Sequence, residues 1–223
     1  MLRLSHPFPF AFLLLAAAVG LRAAESPPPR LRVALVIDDG PDPAQCEKIL
    51  AVLAQEHVRV TFSQIGRNVA AHPDLARAEV AAGHEINNHS YTHPHFKQLD
   101  DAAIAHEVSQ AQAAIRQATG VSPRWCWTPF LEADDRIAAA IRTAGVELYP
   151  LARFHFIDSR DWAPETTAAI VRQRATTGVT DGTVILCHEW PPHTLAELPA
   201  IIAELKRQGA VFVTFSELAD GGP

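Results

Sequence analysis

Cysteine is scarce in this sequence, and basic residues are outnumbered by acidic ones. The three cysteines, Cys46, Cys126 and Cys187, lack the close pairing of a zinc ribbon or a redox dithiol and allow at most one disulfide. With 19 Lys and Arg against 25 Asp and Glu, the formal charge is −6, which argues against nucleic acid as a partner. Internal repeats and charge blocks are absent, and no protein partner is evident. The 223 residues, 48% of them hydrophobic, therefore predict a single domain with its own core.

The N-terminus carries an apolar, uncharged run over residues 8–21, after Arg3 and before Ala23 and Ala24. This run is too short for a comfortable membrane span. It predicts a signal peptide over residues 1–24, a proline-rich linker over 25–30 and a folded domain over 31–223, in a protein exported to the periplasm or the extracellular space. The alternative is a membrane anchor that is never cleaved.

From Leu31 onward, short apolar runs alternate with longer segments of helical periodicity, which is typical of an α/β fold with parallel strands. The predicted strands cover residues 33–37, 58–63, 85–87, 124–127, 147–149, 183–187 and 211–215, with 154–157 as an eighth. The predicted helices cover residues 44–55, 73–82, 101–119, 134–143, 164–176 and 195–208. Seven or eight such units predict a (β/α) barrel, complete or incomplete, with its chemistry at the carboxyl ends of the strands.

Two of the cysteines, Cys126 and Cys187, lie at the ends of predicted strands. If these strands are neighbours in the sheet, the two thiols approach each other and can form a disulfide in an oxidising compartment. Cys46 would then remain as a free thiol.

Two adjacent carboxylates, Asp38 and Asp39, follow the first predicted strand directly. Burying like charges side by side is costly. The cost is tolerable if one carboxylate binds a cation while the other handles protons. An ordinary polar turn is the alternative, because Asp, Gly and Pro all favour turns.

Two histidines, His89 and His93, stand four residues apart after another short strand. On a helical turn both imidazoles would face the same way. Together with one carboxylate they suit a divalent ion such as zinc and leave a coordination position open. The same set describes the facial triad of iron(II) oxygenases, although these need neither a second carboxylate nor a distant acid histidine. In a chain with 11 histidines a chance pair is the other alternative, and His95 is offset so that it points elsewhere.

Two later clusters combine polar groups with a tryptophan: Asp161 with Trp162, and His188 with Trp190. A histidine at the end of a strand in an α/β domain stands where a general acid is useful. Trp162 and Trp190 offer faces on which sugar rings can stack. The alternatives are a hydrogen-bonded histidine at the edge of the core and two core tryptophans.

Taken in order, these clusters resemble the motifs of the polysaccharide deacetylase family, also called carbohydrate esterase family four, over nearly all of residues 31–218. The family motif T-F-D-D-G-P corresponds to residues 36–41, V-I-D-D-G-P, and H-S/T-x-x-H corresponds to residues 89–93, H-S-Y-T-H. The third motif, R-x-P-Y or R-x-P-F, matches at Pro129 and Phe130. Asp161-Trp162 and Leu186 with His188 resemble the remaining motifs.

The resemblance implies a distorted (β/α) barrel and a metal-dependent hydrolase that removes N-acetyl or O-acetyl groups from a glycan such as peptidoglycan or a chitin-like oligosaccharide. The cofactor would be a divalent metal, with Zn²⁺ favoured over Co²⁺ or Ni²⁺. The implied roles are Asp38 as general base, Asp39, His89 and His93 as metal ligands, His188 as general acid, Asp161 as the residue that orients it, and Pro129, Phe130, Trp162 and Leu186 as substrate-binding residues.

One position departs from the family pattern, because Trp127 stands where the arginine that pairs with the catalytic aspartate belongs. Arg124 comes three residues too early to replace it. Without a guanidinium, burial and the neighbouring Asp39 are expected to raise the pKa of Asp38. The alternative function is therefore a catalytically impaired, glycan-binding member of the same family.

Overall fold

The computed structural model of the protein describes residues 31–221, in which eight strands alternate with eight α-helices. In chain order these are β1 (Leu31–Asp38), α1 (Cys46–Gln55), β2 (Thr61–Gln64), α2 (Gly66–Ala71), α3 (Pro73–Ala81), β3 (Glu85–Asn88), α4 (Asp101–Thr119), β4 (Trp125–Cys126), α5 (Asp135–Thr143), β5 (Glu147–Leu148), β6 (His155–Asp158), α6 (Ala168–Thr176), β7 (Thr183–His188), α7 (Pro192–Arg207), β8 (Ala210–Phe212) and α8 (Phe215–Ala219). Short 3₁₀ turns lie at Phe96–Gln98, Pro129–Leu131 and Leu151–Arg153.

All strand pairings are parallel, and the strands form one curled sheet in the order β5-β4-β3-β2-β1-β7-β6. The eighth strand, β8, pairs with the start of β1 outside this path. Neither β5 nor β6 has a second neighbour within residues 31–221, so the sheet stays open between them. The prediction of a single-domain, distorted (β/α) barrel with seven or eight parallel strands is confirmed. As in complete barrels, the carboxyl ends of the strands meet at one face.

The central strand β1 is buried on both faces, as its uninterrupted apolar sequence predicts. Val33, Leu35 and Ile37 pack outward with residues of α1 and α7. Ala34 and Val36 point the other way, into the core that the inner face of the sheet encloses. Because side chains alternate along a strand, the next inward position after Val36 belongs to residue 38.

Several predicted boundaries are wrong. The apolar run 211–215 is not one strand: β8 ends at Phe212, and Thr214 accepts a hydrogen bond from the backbone N–H of Glu217 to begin α8. The strand predicted from residue 58 begins at Thr61, and the short helix α2 was not predicted. In both places local capping and tertiary pairing override an apolar pattern that fits either structure.

The condition for a disulfide between Cys126 and Cys187, that their strands are neighbours, is not met. Cys126 lies in β4 and Cys187 in β7, and three strands separate these two in the sheet. All three cysteines are buried free thiols. The predicted signal peptide and linker lie outside the described residues, and none of the described helices has the length and apolar character needed to cross a bilayer.

Candidate active site

Asp38 and Asp39 lie at the carboxyl end of the central strand. Asp38 occupies the inward position and is 2% exposed. Asp39 has a left-handed φ of 74°, a conformation that costs a non-glycine residue energy and that recurs at functional sites. The surrounding chain holds it there, because its N–H donates to the carbonyl of Ser63 at 3.1 Å and its carbonyl accepts from Nδ2 of Asn68 at 2.9 Å.

The environment of Asp38 suits its carboxylate to accept a proton. Burial raises the pKa of its carboxyl to about 7, against the opposing charges of His89 and His188. Its Oδ1 is buried and has no hydrogen-bond partner within residues 31–221. The expectation that Asp38 has a raised pKa is confirmed, with burial as the main cause and Asp39 as a lesser one. A general base works best with a pKa near the working pH.

His89 and His93 lie on an irregular turn, so the expected helical turn is wrong. Ser90 and His93 have left-handed φ values of 61° and 64°, which no helix accommodates. Glu107 of α4 stabilises the turn by accepting backbone N–H groups, that of Thr92 at 2.7 Å among them. The imidazoles nevertheless converge, with ring centroids 4.8 Å apart.

The donor atoms of Asp39, His89 and His93 lie within 4.8 Å of one another. Nε2 of each histidine is 3.3 Å from Oδ1 of Asp39, an oxygen that is buried and has no hydrogen-bond partner among the described residues. Nδ1 of His89 donates to the carbonyl of Trp127 at 2.6 Å, and this leaves the lone pair of Nε2 free. Burial and the nearby His89 lower the pKa of His93 to about 4, so its imidazole is neutral at pH 7. Although burial opposes protonation of His89, the carboxylates of Asp38 and Asp39 raise its pKa, so in the absence of a metal a proton competes for its Nε2. Two imidazoles that converge on a buried carboxylate oxygen without a donor fit a divalent cation, which would displace that proton.

The second oxygen of Asp39 is held by Trp190, whose Nε1 donates to Oδ2 at 3.0 Å. Trp190 follows His188 by two residues, and the sequence indicated it only as a bulky aromatic near a polar cluster. Its indole N–H fixes the orientation of a carboxylate whose other oxygen belongs to the candidate donor set. No sequence spacing signals this contact, because 151 positions separate the two residues.

His188 ends β7 and is paired with Asp161. Its Nδ1 lies 2.7 Å from Asp161 Oδ1, and its backbone N–H donates to Oδ2 at 2.7 Å. Thr194 of α7 donates its hydroxyl proton to the same Oδ2. Although burial opposes protonation, the hydrogen bond and charge of Asp161 raise the pKa of His188 to about 9. The imidazole is therefore charged at neutral pH and can deliver a proton.

Trp127 is 1% exposed and packs edge-on against Tyr149, with ring centroids 4.1 Å apart. In the sequence it stands where the family motif has an arginine. Arg124 does not replace that arginine, because it lies on the outside, 2.8 Å from Asp220. Within the described residues no lysine or arginine pairs with Asp38; its nearest basic group is Nε2 of His89, at 3.9 Å.

A cleft of about 550 Å³ opens over these groups. It is lined by Asp38, Asp39, His89, His93, Trp127, Thr128, Phe130, Leu131, Asp158, Trp162, Leu186, His188 and Trp190. Phe130, Trp162 and Trp190 are 53%, 44% and 46% exposed and can contact a ligand. His95 stacks on Phe130 at 3.7 Å and takes no part in the ligand set, as expected. Pro129 does not line the cleft: it is buried at the start of the 3₁₀ turn that presents Phe130.

Comparison with known proteins places this site in a family. The polysaccharide deacetylase family profile matches residues 25–149. A peptidoglycan-N-acetylglucosamine deacetylase, PgdA, of Listeria monocytogenes is 30% identical over 84% of this chain, which spans only 38% of that relative. A chitooligosaccharide deacetylase of Bradyrhizobium is 34% identical over 79% of this chain and 85% of its own length.

Comparison with solved structures leads to the same family. A family 4 carbohydrate esterase from Streptomyces lividans, in complex with acetate, shares 34% identity at a TM-score of 0.74 and covers 81% of this chain and 91% of its own. A pseudoenzyme of the same family from Bacillus anthracis shares 27% identity at a TM-score of 0.79, with coverages of 87% and 67%. The chain therefore belongs to the polysaccharide deacetylase family, carbohydrate esterase family 4.

Proposed function

We propose that the chain is a divalent-metal-dependent hydrolase that removes N-acetyl groups from a glycan, with Zn²⁺ as the favoured ion. The observation that carries the proposal is the placement of Asp38 and His188, one suited to accept a proton and the other to donate one, beside the Asp39–His89–His93 donor set in a single cleft. Peptidoglycan and chitin-like oligosaccharides are the proposed substrates because relatives carry those activities in their names. An O-acetyl ester is the alternative linkage.

In this mechanism each proton has a defined donor and acceptor. A divalent ion held by Asp39, His89 and His93 would supply Lewis-acid polarisation of the acyl carbonyl and acidify a water. Asp38 accepts the proton of the attacking water through its unpartnered Oδ1. His188 donates a proton to the leaving nitrogen, and after the products leave, Asp38 releases its proton to solvent and His188 takes one up. The backbone N–H of Phe130 is the proposed donor to the developing oxyanion.

The exposed aromatic side chains around the cleft are the proposed glycan contacts. Phe130 and Trp162 offer apolar faces to a sugar ring, and Leu186, 4% exposed, can contact the methyl of an acyl group.

The proposed location of the protein is outside the cytoplasm, in the periplasm or the extracellular space. The protein would reach it by cleavage after residue 24 or with the N-terminus kept as a membrane anchor. This location rests on the sequence of residues 1–24 alone.

One observation favours a second function. Trp127 removes the guanidinium that would hold the base ionised, and the matched structures include a pseudoenzyme. A chain that binds metal and glycan without hydrolysis is therefore the competing proposal.

An acetate-release screen distinguishes the proposed hydrolase from a protein that binds metal and glycan without hydrolysis. Zn²⁺-loaded protein is incubated with peptidoglycan, chitooligosaccharide and acetyl-xylan, beside Asp38→Asn and the exposed control Asp135→Asn of α5. We expect acetate from at least one glycan and a loss of at least about 100-fold in Asp38→Asn alone, the usual contribution of a general base. Glycan binding without acetate release by the wild type would favour the impaired protein. Iron in the purified protein together with oxygen-dependent turnover would contradict both.

A further inference from the structure

A second cluster of ligand-type side chains lies next to Gly40, outside the set described above. Cys46 at the start of α1, Glu79 of α3 and Glu189 directly after β7 bring a thiol and two carboxylates within 4.8 Å of one another. All three residues are 0% exposed. Sγ of Cys46 lies 3.4 Å from Oε1 of Glu79, so the thiol points into the cluster.

Gln64, at the end of β2, adds an amide to this cluster and is also 0% exposed. Its Nε2 lies 2.5 Å from Glu79 Oε1 and 3.4 Å from Glu189 Oε2. Its Oε1 and the Oε2 of Glu79 have no hydrogen-bond partner within residues 31–221. A Cβ at Gly40 would lie 2.7 Å from Gln64 Oε1 and 1.7 Å from Glu189 Oε2, so both oxygens border the same glycine. Buried oxygens without donors, beside paired carboxylates, mark a place where a proton or a bound cation can offset the charge.

Basic side chains of the protein are not the main source of that offset. Among the described residues no Lys, Arg or His is a main contributor to the pKa of Glu79 or Glu189. Burial raises the pKa of Glu189 to about 7, and burial together with the Glu189 charge raises that of Glu79. Without an ion these groups therefore retain protons, which a bound cation would displace to solvent. One shared proton neutralises a single charge, whereas a divalent ion would offset both carboxylates and engage the thiol.

We propose that Cys46, Glu79 and Glu189 form a second, closed site for a divalent cation of borderline softness such as Zn²⁺, with the amide of Gln64 turned over so that its oxygen replaces Nε2 beside the ion. Mixed sulfur and oxygen donors fit zinc better than magnesium or calcium, and full burial is typical of a structural site. The ion would join α1, α3 and the end of β7 beside residues 40–42, where Glu189 Oε1 already accepts the N–H of Asp42 at 2.9 Å. This proposal does not depend on the reaction that the protein catalyses.

Cobalt substitution tests the site, because a Co²⁺–thiolate bond gives near-ultraviolet charge-transfer absorption that a site of nitrogen and oxygen donors cannot give. Metal-free full-length protein is titrated with Co²⁺, and bound metal is counted after gel filtration. We expect two equivalents and the thiolate band in the wild type. His93→Ala should lose one equivalent and keep the band, whereas Cys46→Ser should lose the band and keep the other equivalent.

Two further variants make the result decisive even if Cys46→Ser fails to fold. Cys126→Ser and Cys187→Ser, each altered at a thiol outside the cluster, should keep the band. Absence of a thiolate band in wild-type protein, or a band that persists in Cys46→Ser, would overturn the proposal. A single bound equivalent that is lost in His93→Ala would also overturn it and leave a shared proton as the partner of the two carboxylates.

Discussion

At the scale of single residues, the proton affinity of His188 depends on one carboxylate. Asp161 contacts both Nδ1 and the backbone N–H of His188, and its charge keeps the imidazole protonated up to about pH 9. Because the folded pKa is raised, the acid form is fully present below the ordinary pKa and is lost as the pH rises through about 9. The alkaline limit of activity should therefore lie near that pH.

Asp161→Asn should move this limit downward by about 1–3 pH units, the usual effect of removing an adjacent opposite charge. The measurement is kcat/KM for acetate release against pH, supported by NMR titration of the imidazole. Asp158→Asn is the matched control, since Asp158 lines the same cleft and bonds Arg160 and Trp162 instead of His188. An alkaline limit that stays in place in Asp161→Asn would show that Asp161 does not set the pKa.

The indole of Trp190 is expected to support metal binding. Trp190→Phe keeps an aromatic side chain but removes the N–H that holds Asp39 Oδ2. Loss of such a contact to a metal ligand typically weakens metal affinity by about 10–100-fold. Competition with a chromogenic chelator measures the dissociation constant, and Trp162→Phe, on the same cleft without a bond to Asp39, should leave it unchanged. Equal affinity in both variants would contradict the positioning role.

The candidate residues that line the cleft, and Asp161 as the partner of His188, could be predicted from sequence, whereas the contacts of Trp190 and Thr194 could not. Asp38, Asp39, His89 and His93 belong to short local motifs whose order along the chain is specific. Trp190 and Thr194 act through contacts that join distant parts of the chain. Such contacts depend on how strands and helices pack, and no local pattern encodes them.

At the scale of elements, helix α8 depends on its first turn. Thr214 and Glu217 form a reciprocal capping box, in which each side chain accepts the other's backbone N–H. Thr214→Ala should lower the free energy of unfolding by about 1 kcal/mol. Urea denaturation measures the change, and Ser109→Ala, at an exposed position within α4, should be close to neutral. No loss in Thr214→Ala would mean that tertiary packing alone holds α8.

The helices and strands themselves were predicted well where their patterns are long. Helix α4 begins and ends within the predicted range, because Asp100 caps one end and Gly120, with a φ of 77°, closes the other. Several short strands were also predicted to within a residue at each end, as at His155–Asp158 and Thr183–His188, but residues 211–215 were not, because five apolar or small residues there fit a strand and a helix entry equally well. There the hydroxyl of Thr214 decides the outcome.

At the scale of the whole molecule, metal binding should stabilise the fold. The Asp39–His89–His93 set joins the ends of β1 and β3, and unfolding disperses its donors. Zn²⁺ at 100 times its dissociation constant should add about 2.7 kcal/mol, or about 5–10 °C in Tm for a chain of this size. Calorimetry with Zn²⁺ and with chelator measures the change in Tm. In His93→Ala the part of the Tm increase that this site contributes should be lost. An identical Tm with and without chelator would contradict metal binding.

The number and direction of the strands followed from sequence, but their order did not. Nothing in the apolar runs indicates that the sheet is open between β5 and β6, or that three strands lie between Cys126 and Cys187. Strand order is fixed by the packing of helices on the outer face, where α1 and α7 cover β1. This is non-local information, which a pattern of residues along the chain does not contain.

Position 127 contributes to the site in two separable ways. Its side chain is an indole that packs against Tyr149, where the family motif has an arginine, while its backbone carbonyl accepts the hydrogen bond that orients His89. Every amino acid supplies that carbonyl. A lineage could therefore exchange the side chain, and with it the environment of the base, without disturbing the orientation of the metal ligand. Hydrolytic power and metal binding can thus diverge independently through substitutions at one position.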